Sequence, residues 1–86
     1  MRREPEFFGG IDLDLAYMAK RLRNALKIEQ LFTEANLDYV VETGTYNSGV
    51  LIRRDLTGAF FYVSPSDLGR ARELLVANRY KPYASE

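Results

Sequence analysis

Apolar residues along this chain switch between a spacing of two and a spacing of three or four, and the switches mark its elements. Residues 38–64, DYVVETGTYNSGVLIRRDLTGAFFYVS, hold the strand-like part. Apolar runs at 39–41, 50–52 and 59–63 are separated there by small polar residues and glycines. This stretch reads as the antiparallel half of a small sheet, with the flanking segments packed against it. In residues 38–43, Tyr39, Val41 and Thr43 share one face, and Asp38, Val40 and Glu42 share the other. Residues 44–49 read as a loop. Residues 49–54 resume extended structure, either as a separate strand or as the same strand continued after a wide bulge. Residues 55–58 read as a tight turn, with Gly58 supplying a positive φ. Residues 59–63 are the most strand-like run of the chain.

The flanks are helical in part. Residues 23–35 place Ala25, Ile28, Leu31, Phe32 and Ala35 on one stripe. Asn24 is the expected N-cap, and Asn36 the left-handed residue that ends the helix. A second helix opens at Ser64-Pro65-Ser66-Asp67, with Ser64 as N-cap, Pro65 at the first helical position and Asp67 as the capping-box acid. Its buried stripe is Leu68, Ala71, Leu74 and Leu75. Gly69 is read as a point of close approach to the sheet, and Asn78 as the stop.

Residues 11–22, IDLDLAYMAKRL, fit two periods. As a strand they put Leu13, Leu15, Tyr17 and Ala19 on one side, with Asp14, Ala16, Met18 and Lys20 on the other. As a helix capped by Asp12 they would run on into residues 23–35, an element of about two dozen residues, long for this size. The strand is the reading taken here. Residues 80–83 form an edge strand or a tail laid on the sheet, since Pro82 suits only an edge.

The element order is therefore β-α-β-β-α, with a further strand at the end on one reading. The expected class is α+β, a ferredoxin-like sandwich of a mainly antiparallel sheet with two helices on one face. Residues 1–10 read as an N-terminal tail, punctuated by Pro5 and by Gly9-Gly10, and residues 11–86 as a single domain.

Three segments, AYMAKRL, NALKIEQLFTEANLDYVVE and GAFFYVSPSDLGRARELL, resemble a family of small prokaryotic signal-transducing domains. The likeness spans residues 15–78 and is carried by a helix ending in EANLDY and a proline-capped helix reading RARELL. That family is similar in fold to the PII nitrogen regulators. The resemblance implies a signalling role and no particular chemistry. PII proteins bind ATP and 2-oxoglutarate and use a long loop between their middle strands. Residues 44–49, with Tyr46, lie in the comparable place. This chain has no such long loop and no glycine-rich phosphate signature, so neither nucleotide binding nor tyrosine modification is carried over to it.

Composition narrows the function classes. At 86 residues and zero formal net charge, the chain can bury roughly two-thirds of its extended surface in one thin core. With no cysteine and no histidine, thiolate chemistry and the usual general base are excluded. Glu29, Glu42 and Asp55 are scattered, with no nucleophile or acidic metal loop beside them, so the chain reads as non-enzymatic and without cofactor. No apolar run approaches the length of a membrane span, and MRREPEFFGG lacks the apolar centre of a signal peptide. A cytoplasmic location is expected.

Two clusters remain as candidate sites. Alternation puts Ala59, Phe61 and Val63 on one sheet face and Phe60 and Tyr62 on the other. Helices cover one face only, so Phe60 and Tyr62 read as an interface; Phe7 and Phe8 either lie over an edge of the core, reach a neighbouring subunit, or fold over this face. The expected partner is a second copy of this chain, and after that another protein. The alternative is single-stranded nucleic acid stacked on the aromatic face, although the glycine and aromatic residues of 58–63 fall at the wrong spacing for an RNA-recognition motif. Lys20, Arg21, Arg23 and Lys27 gather near the first helix start. They read as a candidate anion site or as a solvated face.

Overall fold

The alternation of residues 59–63 decides where the core forms. A computed structural model describes residues 1–48 and 54–83, with backbone alone at 45–48 and 54–56. Its class is α+β. The elements are strand β1 (Asp14–Ala19), helix α1 (Leu22–Glu34), strands β2 (Val40–Ser48) and β3 (Arg54–Val63), and helix α2 (Leu68–Ala77). Short 3₁₀ turns occupy Pro5–Phe8 and Pro65–Asp67. The strands form one three-stranded antiparallel sheet in the order β1-β3-β2.

Phe61 lies at the centre of this sheet, opposite Tyr17 of β1 and Val41 of β2. It is completely buried, as are Ile28 and Phe32 of α1 and Ala71 and Leu75 of α2 in the same apolar cluster. Both helices thus bury their stripes in the core that holds Phe61. Phe32 meets Phe61 and Tyr39 edge-on, at centroid distances of 6.1 and 5.6 Å. The Tyr39 hydroxyl donates to the Glu29 carbonyl at 3.2 Å and shares a hydrogen bond with the Thr33 hydroxyl at 3.1 Å. Its ring is therefore buried while its polar tip is satisfied on α1.

Residues 11–22 contain a strand, but its faces differ from simple alternation. The register shifts between Leu15 and Tyr17: Leu15 lies opposite Tyr62 and Tyr17 opposite Phe61. This bulge puts an extra residue, Ala16, on the strand, so Ala16 and Ala19 are the buried pair. Leu15 and Met18 fall in line with Tyr62 and Phe60 instead.

Helix α1 begins earlier than expected. Arg21 is its N-cap, without a side-chain cap bond, and Asn24 is inside the first turn. The chain turns into the helix within two residues of Ala19, which leaves no room for a cap at Asn24. Asn36 does adopt the left-handed conformation, with φ 57°.

The loop expected at 44–49 and the tight turn expected at 55–58 are both replaced by strand up to Ser48 and from Arg54. Gly44 pairs with Gly58, Tyr46 with Leu56, and Ser48 with Arg54. Pairing satisfies the backbone groups that the two strands turn toward each other, and this outweighs the local turn preference of Gly, Asn and Asp. Gly58 is a ladder residue rather than a turn residue. The extended reading of 49–53 lies outside the described residues.

At the start of α2, the N–H of Asp67 goes to the backbone carbonyl of Ser64 at 2.9 Å, not to its hydroxyl. The Ser64 hydroxyl donates to the Asp67 carboxylate at 3.3 Å. The first turn is 3₁₀, whose i→i+3 pattern brings that carbonyl to the N–H and displaces the side chain. Gly69 is no point of close approach, since a Cβ there would meet nothing within 4 Å. Asn78 caps α2 at its end.

Residues 1–3 and 80–83 border the sheet. The Tyr83 N–H donates to the Ala16 carbonyl at 2.9 Å, so residues 80–83 lie along the outer edge of β1 without forming an assigned strand. Arg2 bridges Tyr39 in parallel, and the Arg3 N–H donates to the Tyr39 carbonyl at 2.7 Å. The amino terminus hydrogen-bonds the Leu37 carbonyl, and Arg3 Nε pairs with Asp38 at 3.0 Å. Among the described residues, no helix is long and apolar enough to cross a membrane.

Candidate functional site

The sheet face away from the core is built by register. One row across the strands is Met18–Phe60–Glu42, and the next is Leu15–Tyr62–Val40. Phe60 and Tyr62 are therefore opposite in facing to Phe61, as alternation required. Gly44 belongs to this face. A Cβ added there would stand 2.9 Å from the Phe60 ring. The ring thus lies across a residue with no side chain, a diagonal cross-strand contact that fills the gap left by glycine.

This face is partly covered by the chain itself. Val40 is only 3 % exposed, although it points away from the helices. Pro5 and Leu13 border a shallow cleft with Val40, Glu42 and Tyr62, so the N-terminal segment reaches over this end of the face. Phe60 and Tyr62 remain half-buried. Burial raises the pKa of the Tyr62 hydroxyl above its ordinary 10.0, with Glu42 and then Tyr83 adding to the rise. Phe7 is exposed and Phe8 half-buried, their rings edge to face at 5.1 Å. The Arg3 guanidinium lies 4.3 Å over the Phe7 ring.

The basic cluster does not stay together. Lys20 and Arg21 line a cleft of about 550 Å³ between the end of β1, the first turn of α1 and the C-terminal tail. Lys81 joins them from the tail. Lys27 lines a different depression, with Glu34 and Tyr80, and Arg23 is exposed beside neither. Tyr17 forms part of the first cleft. Its pKa is raised by burial and by Tyr80, whose ring meets it edge-on at 5.8 Å.

Among the described residues, no group of three acidic side chains comes together as a metal site would require. No family model, curated protein or solved structure matches this chain. The reading from sequence missed Met18 and Leu15 on the open face, because the bulge at Ala16 carries no residue signature. It also missed Lys81 and Tyr83 beside Lys20 and Arg21. The hydrogen bond from Tyr83 to Ala16 and the Tyr17–Tyr80 ring contact bring those distant segments together.

Proposed function

We propose that this chain is a small non-enzymatic binding module of ferredoxin-like plan, which joins a second copy through the open face of its sheet. The strand order β1-β3-β2 with the tail beside β1 supports the plan. The observation that carries the function is the pair Phe60 and Tyr62, half-buried on the face that neither helix covers. A regulatory role in signal transduction follows from the resemblance of residues 15–78 to prokaryotic signalling domains.

The size of the face sets the expected strength. Three strands at ~4.8 Å spacing, with about six residues at ~3.3 Å each, offer roughly 300 Å². A standard interface takes about 800 Å² from each partner. The tail at Tyr83 and the turn at Phe7 and Phe8 therefore extend the contact, and the dimer is weak, with a Kd of about 1–100 µM.

Sedimentation equilibrium across that range tests it. Phe60→Asp is expected to give a monomer with an unchanged helical circular-dichroism signal, whereas Phe61→Asp unfolds the domain. A wild type that stays monomeric throughout removes the proposal. If that monomer binds short single-stranded RNA at low salt, and Phe60→Ala and Tyr62→Ala both weaken the binding, the face belongs to nucleic acid instead.

A further inference from the structure

We propose a second site, which shares only Met18 and Tyr83 with the edge of the open sheet face: the cleft beside the C-terminal tail binds a small organic phosphate. The chain as a whole is neutral, yet three cationic side chains from two distant segments meet at this cleft. Lys20 follows β1, Arg21 opens α1, and Lys81 arrives from the tail. Among the described residues lining the cleft there is no carboxylate. Arg2 and Arg3, by contrast, face Glu29 and Asp38. Among the described residues, neither Arg21 nor Lys81 forms an ion pair.

A dianion suits this arrangement better than a single carboxylate. Arg21 and Lys81 line the same cleft from distant parts of the chain, and phosphate has oxygens for both a guanidinium fork and an ammonium. Asn24 adds an amide to the same wall as Arg21. Tyr17 also lines the cleft and carries a hydroxyl donor.

The rest of the lining calls for more than inorganic phosphate. Met18, Pro82 and Tyr83 present apolar and aromatic surface. A volume of about 550 Å³ is within the range of small-molecule pockets, far larger than one phosphate group. The ligand class is accordingly a phosphomonoester with a compact apolar or ring-bearing body. A nucleic-acid strand fits less well, since the chain as a whole carries no basic surplus.

The test uses the full chain and three probes: phenyl phosphate, inorganic phosphate and benzyl alcohol. Amide chemical shifts and calorimetry are the readouts. Phenyl phosphate is expected to bind below about 1 mM, with the largest shifts at residues 20–24 and at Lys81 and Tyr83. Inorganic phosphate should bind about 10-fold more weakly, and benzyl alcohol not measurably. Arg21→Gln and Lys81→Gln are each expected to weaken phenyl phosphate about 10-fold, and added salt to weaken it further. Both side chains are exposed, so the variants are expected to keep the wild-type circular-dichroism spectrum. Absence of shifts with phenyl phosphate at about 10 mM overturns the site, as does unchanged binding by the double variant. Inorganic phosphate binding as tightly as phenyl phosphate overturns the assigned ligand class.

Discussion

Phe60 and Phe61 are the same side chain one residue apart, and the fold treats them oppositely. Phe61 has no exposure, enclosed by Phe32, Tyr39 and the stripes of both helices. Phe60 is half-buried on the other face, lying across Gly44 in a row with Met18 and Glu42. Residue type does not distinguish them. Strand period assigns them to opposite faces, and the positions of α1 and α2 decide which face becomes core. Among the described residues, Pro5, Leu13 and Tyr83 approach the open face and leave Phe60 and Tyr62 half-buried.

The largest expected effect comes from breaking the covered face. Phe61→Ala removes a ring with three aromatic or helical surfaces around it, and should cost about 3–5 kcal/mol in urea unfolding. Phe60→Ala should cost well under half of that, because part of its ring is already in water. Equal losses would show that the open face is as enclosed as the core.

Gly44→Ala is expected to cost about 1–2 kcal/mol, since the new Cβ would press on the Phe60 ring at 2.9 Å. The same change in a Phe60→Ala background should be neutral or stabilising, because alanine loses less backbone entropy on folding than glycine. A double-mutant cycle with no coupling between the two positions would mean that the ring does not rest on Gly44.

The period-two runs around residue 40 and at 59–63 are local facts about side chains, so the strands there and their faces were legible from sequence. The helical stripes were legible for the same reason, as was the left-handed Asn36. Three features were not. The length of the β2–β3 ladder depends on the partner strand, which overrides the turn preferences of Gly44, Asn47 and Gly58. The bulge at Ala16 comes from fitting β1 to β3 and leaves alternation looking regular in the sequence. The union of Lys20, Arg21 and Lys81 depends on where the tail docks. All three are set by pairing between distant segments.

The tyrosines compare the two faces by pH. Burial raises the pKa of Tyr39 on the covered side and of Tyr62 on the open side above 10.0. The unfolded chain therefore releases these protons first as pH rises. Stability is full below pH 10 and falls as pH climbs from there through the folded values. Tyr39→Phe should cost about 1 kcal/mol at neutral pH, from the lost bonds to Glu29 and Thr33, and should flatten part of the alkaline fall. Tyr62→Phe should change neutral stability less. Urea melts between pH about 8 and 11 measure both, and an unchanged alkaline slope in Tyr39→Phe would show that this hydroxyl is not shielded as described.

The smallest expected effect concerns the solvent side of the helical layer. Gly69 is the second residue of α2 and is exposed. A methyl group there would meet no neighbour within 4 Å. It sits in helix without a positive φ, so alanine fits the backbone unchanged. Replacing glycine removes unfolded-chain freedom and favours helix, worth about 0.4–1 kcal/mol at a compatible position. The near-terminal place in α2 puts the expected gain at the low end, about 0.5 kcal/mol. The gain should appear in urea melts with no change in the association measured by sedimentation, because Gly69 is far from the open face. A destabilised Gly69→Ala would mean that α2 lies closer to a neighbour than 4 Å at this point, and that the covered side extends further round the helix than its buried stripe of Ala71 and Leu75.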